Sequence, residues 1–434
     1  MSRLVRPLAA LGAVAALMML ADALVRGDVD GRQLPLVLLA VGGIVWFVRP
    51  RSLGALALLV PLGVVIDLPF LTDGRGIYAT EVILLTAVAG WASRIALGRI
   101  PAPERPPTAG LLLLGFGVAA ALALVIGHPH LMSTYAAVRM LRVVLLAAVL
   151  GFVIQPAVDT TASRGRFLVL WTYGSLAALA LLSLGGLVEF VAAIAGDADS
   201  EPGSFYRGSV GLANHIALVS PLALAWALGT TGRRRLFATG VWLTAMICLP
   251  LTASRGAMGS VLITSTVTGW MLLHGGRRRG LLMAGGVLLA IFVVLAIKPD
   301  IAGESFAYKF SKTIEGDFFS TRIDAWQETG AAIAANPLVG QGPDAWSPSV
   351  PLELAARHGL PAAALALAAL IIAAWTALLT ARRTHSPTAL GVALGLVGFL
   401  LVGLAETGLG ARTTPLLVMT VALAGLFIPN NNAD

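Results

Sequence analysis

Charged residues are scarce in this chain. Asp, Glu, Lys and Arg make up 12% of its 434 residues, about half of the roughly 25% that is usual in soluble domains. This composition excludes an ordinary water-soluble globular protein and predicts a protein that crosses a membrane many times. Cysteine is almost absent too. The single Cys248 lies inside an apolar run, which argues against a disulfide framework or a cysteine metal site.

The sequence also lacks the motifs of nucleotide and metal chemistry. It contains no GxxxxGK[ST] phosphate-binding loop, which argues against an ATP-driven transporter. His128 and His130 in GHPH have no carboxylate beside them and make a poor metal site. We therefore predict no metal and no cofactor. The net charge of +8 would suggest a nucleic-acid partner in a soluble protein. Here the arginines lie between apolar runs, so membrane orientation explains them better and no nucleic-acid partner is predicted.

The apolar residues form runs that are long enough to cross a bilayer, which takes about 20 helical residues. The sequence therefore predicts an all-α polytopic membrane protein with about 12–14 transmembrane helices in one integral membrane domain, residues 1–434. Residues 1–26 also resemble a signal peptide, but retaining them as the first span gives the better charge pattern. The predicted spans lie near residues 8–25, 34–48, 53–69, 80–97, 109–127, 135–154, 167–192, 210–229, 236–252, 256–273, 280–297, 359–380, 388–405 and 412–428.

Arginine clusters recur at every second connection between these runs. VRPRS, TGRRRL, HGGRRRG and ARRTHS are dense in arginine, whereas the connections between them are sparse or mixed in sign, as in GDADSEP. Basic loops remain in the cytoplasm. We therefore expect both termini to be cytoplasmic and Arg255 to face outside.

One connection is much longer than the others, from about residue 298 to 358, and long loops in compact proteins are usually functional or disordered. Aliphatic and aromatic residues occur throughout it. Within TRIDAWQETGAAIAAN, Ile323, Trp326, Ile333 and Ala334 fall near one helical face. This pattern predicts an interfacial helix in a large outer loop.

The segment ANPLVGQGPDAW follows that helix. Pro337 should end the helix, and Gly340 and Gly342 allow the chain to turn sharply beside other groups. Glycines of this kind occur both in phosphate-binding loops and in plain turns, and the residues alone support either interpretation.

Two arginines on the predicted outer side are candidates for anion binding. Arg255 begins a helix, where free backbone amides and the positive end of the helix dipole lie beside its guanidinium. Arginine pairs well with phosphate oxygens, but Arg255 could equally snorkel to ordinary lipid headgroups. Arg322 lies in the long loop, where it could bind an anion or form a surface salt bridge with Asp324 or Glu328.

Other polar residues fall inside or beside the apolar runs. Arg139 and Arg142 lie near the outer end of a span and could bind an anionic substrate or pair with acidic residues of other helices, Asp22, Asp67 or Glu81. Asn214 and His215 lie within the span 210–229. They could line a cavity or bond to a neighbouring helix.

Three stretches, in this order, resemble the O-antigen ligase and O-antigen polymerase superfamily. They are GLANHIALVSPLAL, LTASRGAMGSVL, and STRIDAWQETGAAIAANPLVGQGPDAW before a GLPAA helix start. The similarity covers about residues 205–425. It implies a metal-independent glycosyltransferase in the bacterial cytoplasmic membrane. Such an enzyme transfers glycan from a polyprenyl diphosphate carrier to a glycan or lipid-linked acceptor on the outer side. It also implies that Arg255 and Arg322 hold the diphosphate.

The chain departs from the ligase pattern at two positions of the long loop. The loop histidine of the ligases falls on Pro348 or Ser349, and their glutamate on Arg357. The acceptor-activating base that the resemblance implies is therefore missing. A base needs reach and a suitable pKa, so the substitutes considered are Glu353, Asp344 and His358. The loss favours a polymerase or another exopolysaccharide-assembly enzyme over a lipopolysaccharide ligase.

Two alternatives belong to other functional classes. Many spans and intramembrane arginines would also suit a transporter, although no convincing repeat relates the two halves of the sequence. The missing histidine leaves open a catalytically inactive partner in polysaccharide assembly.

Overall fold

The computed structural model describes residues 52–63, 108–129, 161–194, 209–252, 254–273 and 317–405, with isolated positions at 65, 94, 97–98, 285–286, 417 and 420–421. These residues are almost entirely helical and none of them lies in a strand. The all-α prediction is therefore confirmed. The predicted spans near 8–25, 34–48, 80–97, 135–154, 280–297 and 412–428 lie wholly or almost wholly outside the described residues.

Nine helices follow one another along the described ranges. They are α1 Ser52–Gly63, α2 Thr108–Gly127, α3 Thr161–Ile194, α4 Ser209–Gly229, α5 Gly232–Leu251, α6 Arg255–Leu272, α7 Asp317–Ala335, α8 Val350–Thr384 and α9 Pro387–Ala405.

Five of the described helices are long and apolar enough to cross a membrane: Thr108–Gly127, Arg164–Val191, Val210–Gly229, Val350–Thr384 and Pro387–Leu404. The chain is thus a polytopic membrane protein. Helices α5 and α6 form over the predicted spans 236–252 and 256–273 but are more polar. The first opens with three arginines, and the second contains five Ser and Thr residues.

Helices α4, α6 and α9 form the centre of the bundle, and small residues let them approach closely. A side chain at Gly395 would meet the carbonyl oxygen of Leu218, and one at Gly398 would meet that of Ala217. Ser260 of α6 donates a hydrogen bond to the Gly398 carbonyl over 2.7 Å. Close backbone contact of this kind is typical of helix packing in membranes. These contacts fix Ala217, Ser260 and Gly398 at one level of the bundle.

One end of the bundle, the arginine-rich end, carries only basic charge among the described residues. The α4–α5 and α8–α9 turns meet there: Trp226 Nε1 donates to Thr388 Oγ1 over 2.9 Å. Tyr173 of α3 packs against Trp226 at a ring-centroid distance of 5.3 Å, which brings the start of α3 to the same end. The arginines of this end are Arg164, Arg166, Arg233, Arg234, Arg235, Arg382 and Arg383. The predicted clustering of arginine at alternate connections agrees with this arrangement.

The other end, the loop end, contains the α7–α8 connection. The predicted helix within the long loop is present as α7, and it ends at Ala335, two residues before Pro337, as predicted. The predicted span near 359–380 coincides with the second of two helical segments that meet at Gly359 within α8. The first segment, from Val350, was not predicted. It has Pro351 at the second helical position and Glu353 in the first turn, both favourable at a helix start. Gly359 is a kink inside this helix, with φ 82° and ψ 165°.

Candidate active site at the loop end

Arg255 lies at the first position of α6, at the loop end. Ser254 caps the helix: its side-chain oxygen accepts a hydrogen bond from the Ala257 amide over 3.2 Å. Arg255 comes five residues before Ser260, which places it about 7.5 Å beyond the Gly398 level at 1.5 Å per residue. Its side chain is half-buried. A half-buried guanidinium at a helix N-terminus is well suited to binding an anion.

Asn214 and His215 lie at the same end of α4, three and two residues before Ala217. Neither side chain has appreciable accessible surface. A side chain without such surface does not line an open cavity, so this structure favours the alternative in which the two residues pack between helices. Their role as substrate contacts stays a prediction.

One face of α7 is directed toward the interior of the protein. Arg322, Trp326, Thr329 and Ile333 follow at intervals of four, three and four residues, and all four are buried or half-buried. Ile323 and Ala334, predicted to lie near the same apolar face as Trp326 and Ile333, are at its outer edge: Ile323 is 44% exposed and Ala334 is exposed. The predicted contact of this helix with the membrane interface stays a prediction.

The orientation of α7 bears on the two interpretations of Arg322. Asp324 and Glu328 are both exposed. They lie two and six residues from Arg322, spacings that do not bring side chains together on a helix. Arg322 instead lies on the same side of α7 as Ile333, which packs against Val350, Leu354 and Ala355 of α8. This placement favours a role inside the protein over a surface salt bridge.

The segment from Pro337 to Gln341 closes over the kink in α8. At a kink the carbonyls of one helical segment and the amides of the next lose their partners. Here the Gln341 amide donates to the Ala356 carbonyl over 2.6 Å, and the Leu360 amide donates to the Pro337 carbonyl over 2.8 Å. The loop thus satisfies a backbone group on each side of Gly359.

Gly340 is required by this close contact. It has φ 69°, and a side chain there would meet the Ala356 carbonyl oxygen at 2.6 Å. His128, just after α2, lies with Nε2 3.1 Å from the Gly340 carbonyl oxygen and so ties the loop to a third helix. Of the two interpretations of the glycines, the structure favours a tightly packed turn over a phosphate-binding loop. The described ranges contain no group of three or more His, Cys, Asp or Glu side chains that could hold a metal ion.

Glu353 is the best-placed acid at the loop end. It is 3% exposed. Its Oε1 lies 2.6 Å from a terminal nitrogen of Arg357. Arg357 Nε also donates to the Ala345 carbonyl over 2.7 Å, which anchors the guanidinium to the loop. Within the described part of the chain, Glu353 Oε2 and the nearby Ser347 Oγ are buried without a hydrogen-bond partner. Arg357 therefore holds the carboxylate through Oε1, and Oε2 has the capacity to accept a hydrogen bond.

His358 and Asp344 are weaker candidates for a base. His358 packs edge-on against Phe116 of α2, with ring centroids 5.8 Å apart. It lies five residues from Glu353, about 140° around the helix, so the two side chains do not converge. Asp344 is exposed. Arg139 and Arg142 lie outside the described residues, as does His130.

Arg357 was considered from the sequence only as a departure from the ligase pattern, yet it holds both the loop and Glu353. The sequence signal was available: Glu and Arg four residues apart on a helix are neighbours. Truncating one partner of a buried ion pair leaves the other charge buried and alone, at about 3–5 kcal/mol. Arg357 is partly exposed, so a smaller effect is expected.

Arg357→Ala should lower the free energy of unfolding by about 2 kcal/mol, measured by SDS titration in mixed micelles. Adding Glu353→Gln to this variant should recover part of the loss, because no charge is then left buried. Arg383→Ala, at an exposed position, is the matched control and should change stability little. Equal stability of Arg357→Ala and Arg383→Ala would mean that the ion pair does not hold the loop end together.

Comparison with known protein families and curated proteins identified no relative of this chain. No protein-family model matches the chain, and no curated protein shows significant similarity to it.

Proposed function

We propose that the protein is a membrane glycosyltransferase. It transfers or polymerises glycan from a polyprenyl diphosphate carrier onto a glycan or lipid-linked acceptor at the outer face of the bacterial cytoplasmic membrane. The observation that carries this proposal is the convergence of three features on the loop end: the α6 N-terminus with Arg255, the loop that closes over the α8 kink, and the buried Glu353. The ligase and polymerase resemblance of these same stretches gives the reaction class.

The charges at the two ends support the proposed orientation. The arginine-rich end lies in the cytoplasm by the positive-inside rule, and the loop end then faces outside. A carrier anchored in the outer leaflet carries its diphosphate at headgroup depth. Arg255, at the end of a bundle helix, is suited to meet a group at that depth.

The reaction needs stabilisation of a leaving group and removal of one proton. The acceptor hydroxyl oxygen attacks the anomeric carbon, the bond from that carbon to the diphosphate oxygen breaks, and the diphosphate leaves with the additional negative charge. Arg255 and Arg322 stabilise that charge electrostatically. Glu353 takes the acceptor proton on Oε2, while Arg357 holds Oε1. Because Oε2 is buried in this structure, the loop end has to open before the acceptor hydroxyl can reach it. Fixed guanidinium groups supply the positive charge that a metal supplies in other enzymes, so no metal is required.

The missing ligase histidine favours polymerisation onto a second lipid-linked repeat over transfer to lipid A–core. A transporter and a catalytically inactive partner are the alternatives.

The test uses the full chain, purified in detergent with EDTA. Lipid-linked oligosaccharides extracted from the source cells serve as substrate, and product length is followed by mass spectrometry. We expect a ladder of lipid-linked products without added metal or nucleotide. A single transfer to added lipid A–core would indicate a ligase. Bound carrier without any turnover would contradict the proposed enzyme and favour one of the two alternatives.

A further inference from the structure

The arginine-rich end has a surface that the proposed reaction does not use. Arg233, Arg234 and Arg235 lie in the first turn of α5, just after the α4–α5 turn. Arg382 and Arg383 lie in the last turn of α8, just before the α8–α9 turn. All five side chains are exposed.

The two turns are fixed side by side. Trp226 of α4 bonds to Thr388 of α9. A side chain at Gly229 would lie 2.7 Å from Pro387, so the end of α4 and the start of α9 are in direct contact. The five guanidinium groups therefore belong to one surface of the bundle rather than to two separate ones.

No acidic residue neutralises this surface from the two turns or their flanks. The stretches WALGTTGRRRLFATG and TARRTHSPTAL contain no Asp or Glu. In the described part of the chain, the acidic residues lie on α7, on the α7–α8 loop, at the start of α8 and near the far end of α3. Five like charges repel one another, so the binding of anionic groups lowers the electrostatic energy of this surface.

An apolar surface lies directly beside the arginines. Leu236 is 76% exposed and Phe237 is 38% exposed, and both follow Arg235 on the same helix. Phe237 also packs against Tyr173, with ring centroids 5.9 Å apart, so its position is fixed. Exposed cations next to exposed apolar side chains match a molecule with an anionic head and a hydrocarbon tail. A free phosphate or a nucleic acid would use the cations but leave the apolar surface in water.

We propose that this surface, formed by Arg233–Arg235, Arg382, Arg383, Leu236 and Phe237, is a binding site for anionic phospholipid. The guanidinium groups bind the headgroup phosphates, and the two apolar side chains contact the acyl chains. The site is independent of the proposed glycosyl transfer, because it lies at the opposite end of the bundle from Arg255 and Glu353.

The experiment uses the full chain, purified into detergent and supplied with equal amounts of phosphatidylglycerol and phosphatidylcholine that carry the same acyl chains. Native mass spectrometry counts the lipids that stay bound. We expect at least about a tenfold preference for phosphatidylglycerol, since each basic residue near an anionic headgroup contributes to binding. Replacing all five arginines with glutamine should reduce the preference to near parity, whereas replacing them with lysine should retain most of it.

Two further measurements address misfolding of the glutamine variant and binding of anions other than lipid. If the glutamine variant does not fold, the double variant Arg234→Gln/Arg383→Gln replaces it, and a clear reduction in the preference is expected. Inorganic phosphate at millimolar concentration should not displace phosphatidylglycerol. An unchanged preference in the folded glutamine variants would overturn the proposal. Displacement by phosphate alone would overturn it too, since the site would then bind anions without regard to the lipid.

Discussion

Gly359→Ala should unfold the loop end of the protein. Gly359 has φ 82° and ψ 165°, a backbone conformation that residues with a side chain hardly adopt. A Cβ atom there would overlap the carbonyl oxygen of Leu338, far inside van der Waals contact. Backbone strain and overpacking each cost about 1–3 kcal/mol. Together they should lower the free energy of unfolding by at least about 3 kcal/mol.

Gly330→Ala provides a matched control for this prediction. Gly330 lies in α7 and is exposed, and among the described residues no atom beyond its chain neighbours and the backbone of its own helix comes within 4 Å of the position that a Cβ would occupy. Alanine there should leave stability unchanged or raise it by up to about 1 kcal/mol, because alanine favours the helix. SDS titration of both variants measures the difference. If Gly359→Ala were as stable as Gly330→Ala, α8 would not be kinked as described.

The helices themselves were largely predictable from the sequence. In a bilayer each backbone polar group must be satisfied within its own helix, so a long apolar run fixes a helix almost alone. The predicted spans 109–127, 210–229 and 388–405 differ from α2, α4 and α9 by one residue at most at either end. The end of α7 before Pro337 was predictable for a similar reason, since the residue before proline disfavours the helical conformation.

The helix start at GLP was predictable, and a helical segment does begin just after Gly359. The preceding segment from Val350, and the kink that joins the two segments, were not predicted. The observed arrangement depends on the Pro337 carbonyl and the Gln341 amide, more than fifteen residues away, which satisfy the backbone around the kink. Only the folded chain brings these groups together, and no local pattern encodes that contact.

The candidate site was predictable in part. The helix start at Arg255 was predicted from the sequence. Ser254 precedes it, and serine is a preferred N-cap residue, so the local sequence favours a helix that begins there. Arg322 was singled out, but the sequence did not indicate that it lies on the same side of α7 as the buried Thr329 and Ile333. Which of two neighbouring helical faces is buried depends on the packing partner, and α8 is that partner.

Arg255→Ala and Arg322→Ala should each reduce the rate of glycan transfer by about 10²–10³-fold. Removing one fixed donor that stabilises developing charge typically has an effect of this size. The loss should appear mainly in kcat, because the diphosphate gains charge as the glycosidic bond breaks. Lysine at either position should restore only part of the rate, since an ammonium group lacks the forked geometry that matches phosphate oxygens.

Loss of positive charge anywhere on the protein would not produce this pattern, and Arg166→Ala tests that alternative. Arg166 is exposed at the arginine-rich end and is not part of the proposed lipid-binding surface. It lies far along the bundle from the loop end, so its removal should leave kcat within about twofold of the parent. Carrier binding, measured separately by native mass spectrometry, then distinguishes a defect in chemistry from one in recognition. If Arg322→Ala turned over normally, the inward face of α7 would be a packing surface only. The diphosphate would then have to be held by Arg255 with residues outside α7, and Glu353 alone would connect the long loop to the proposed reaction.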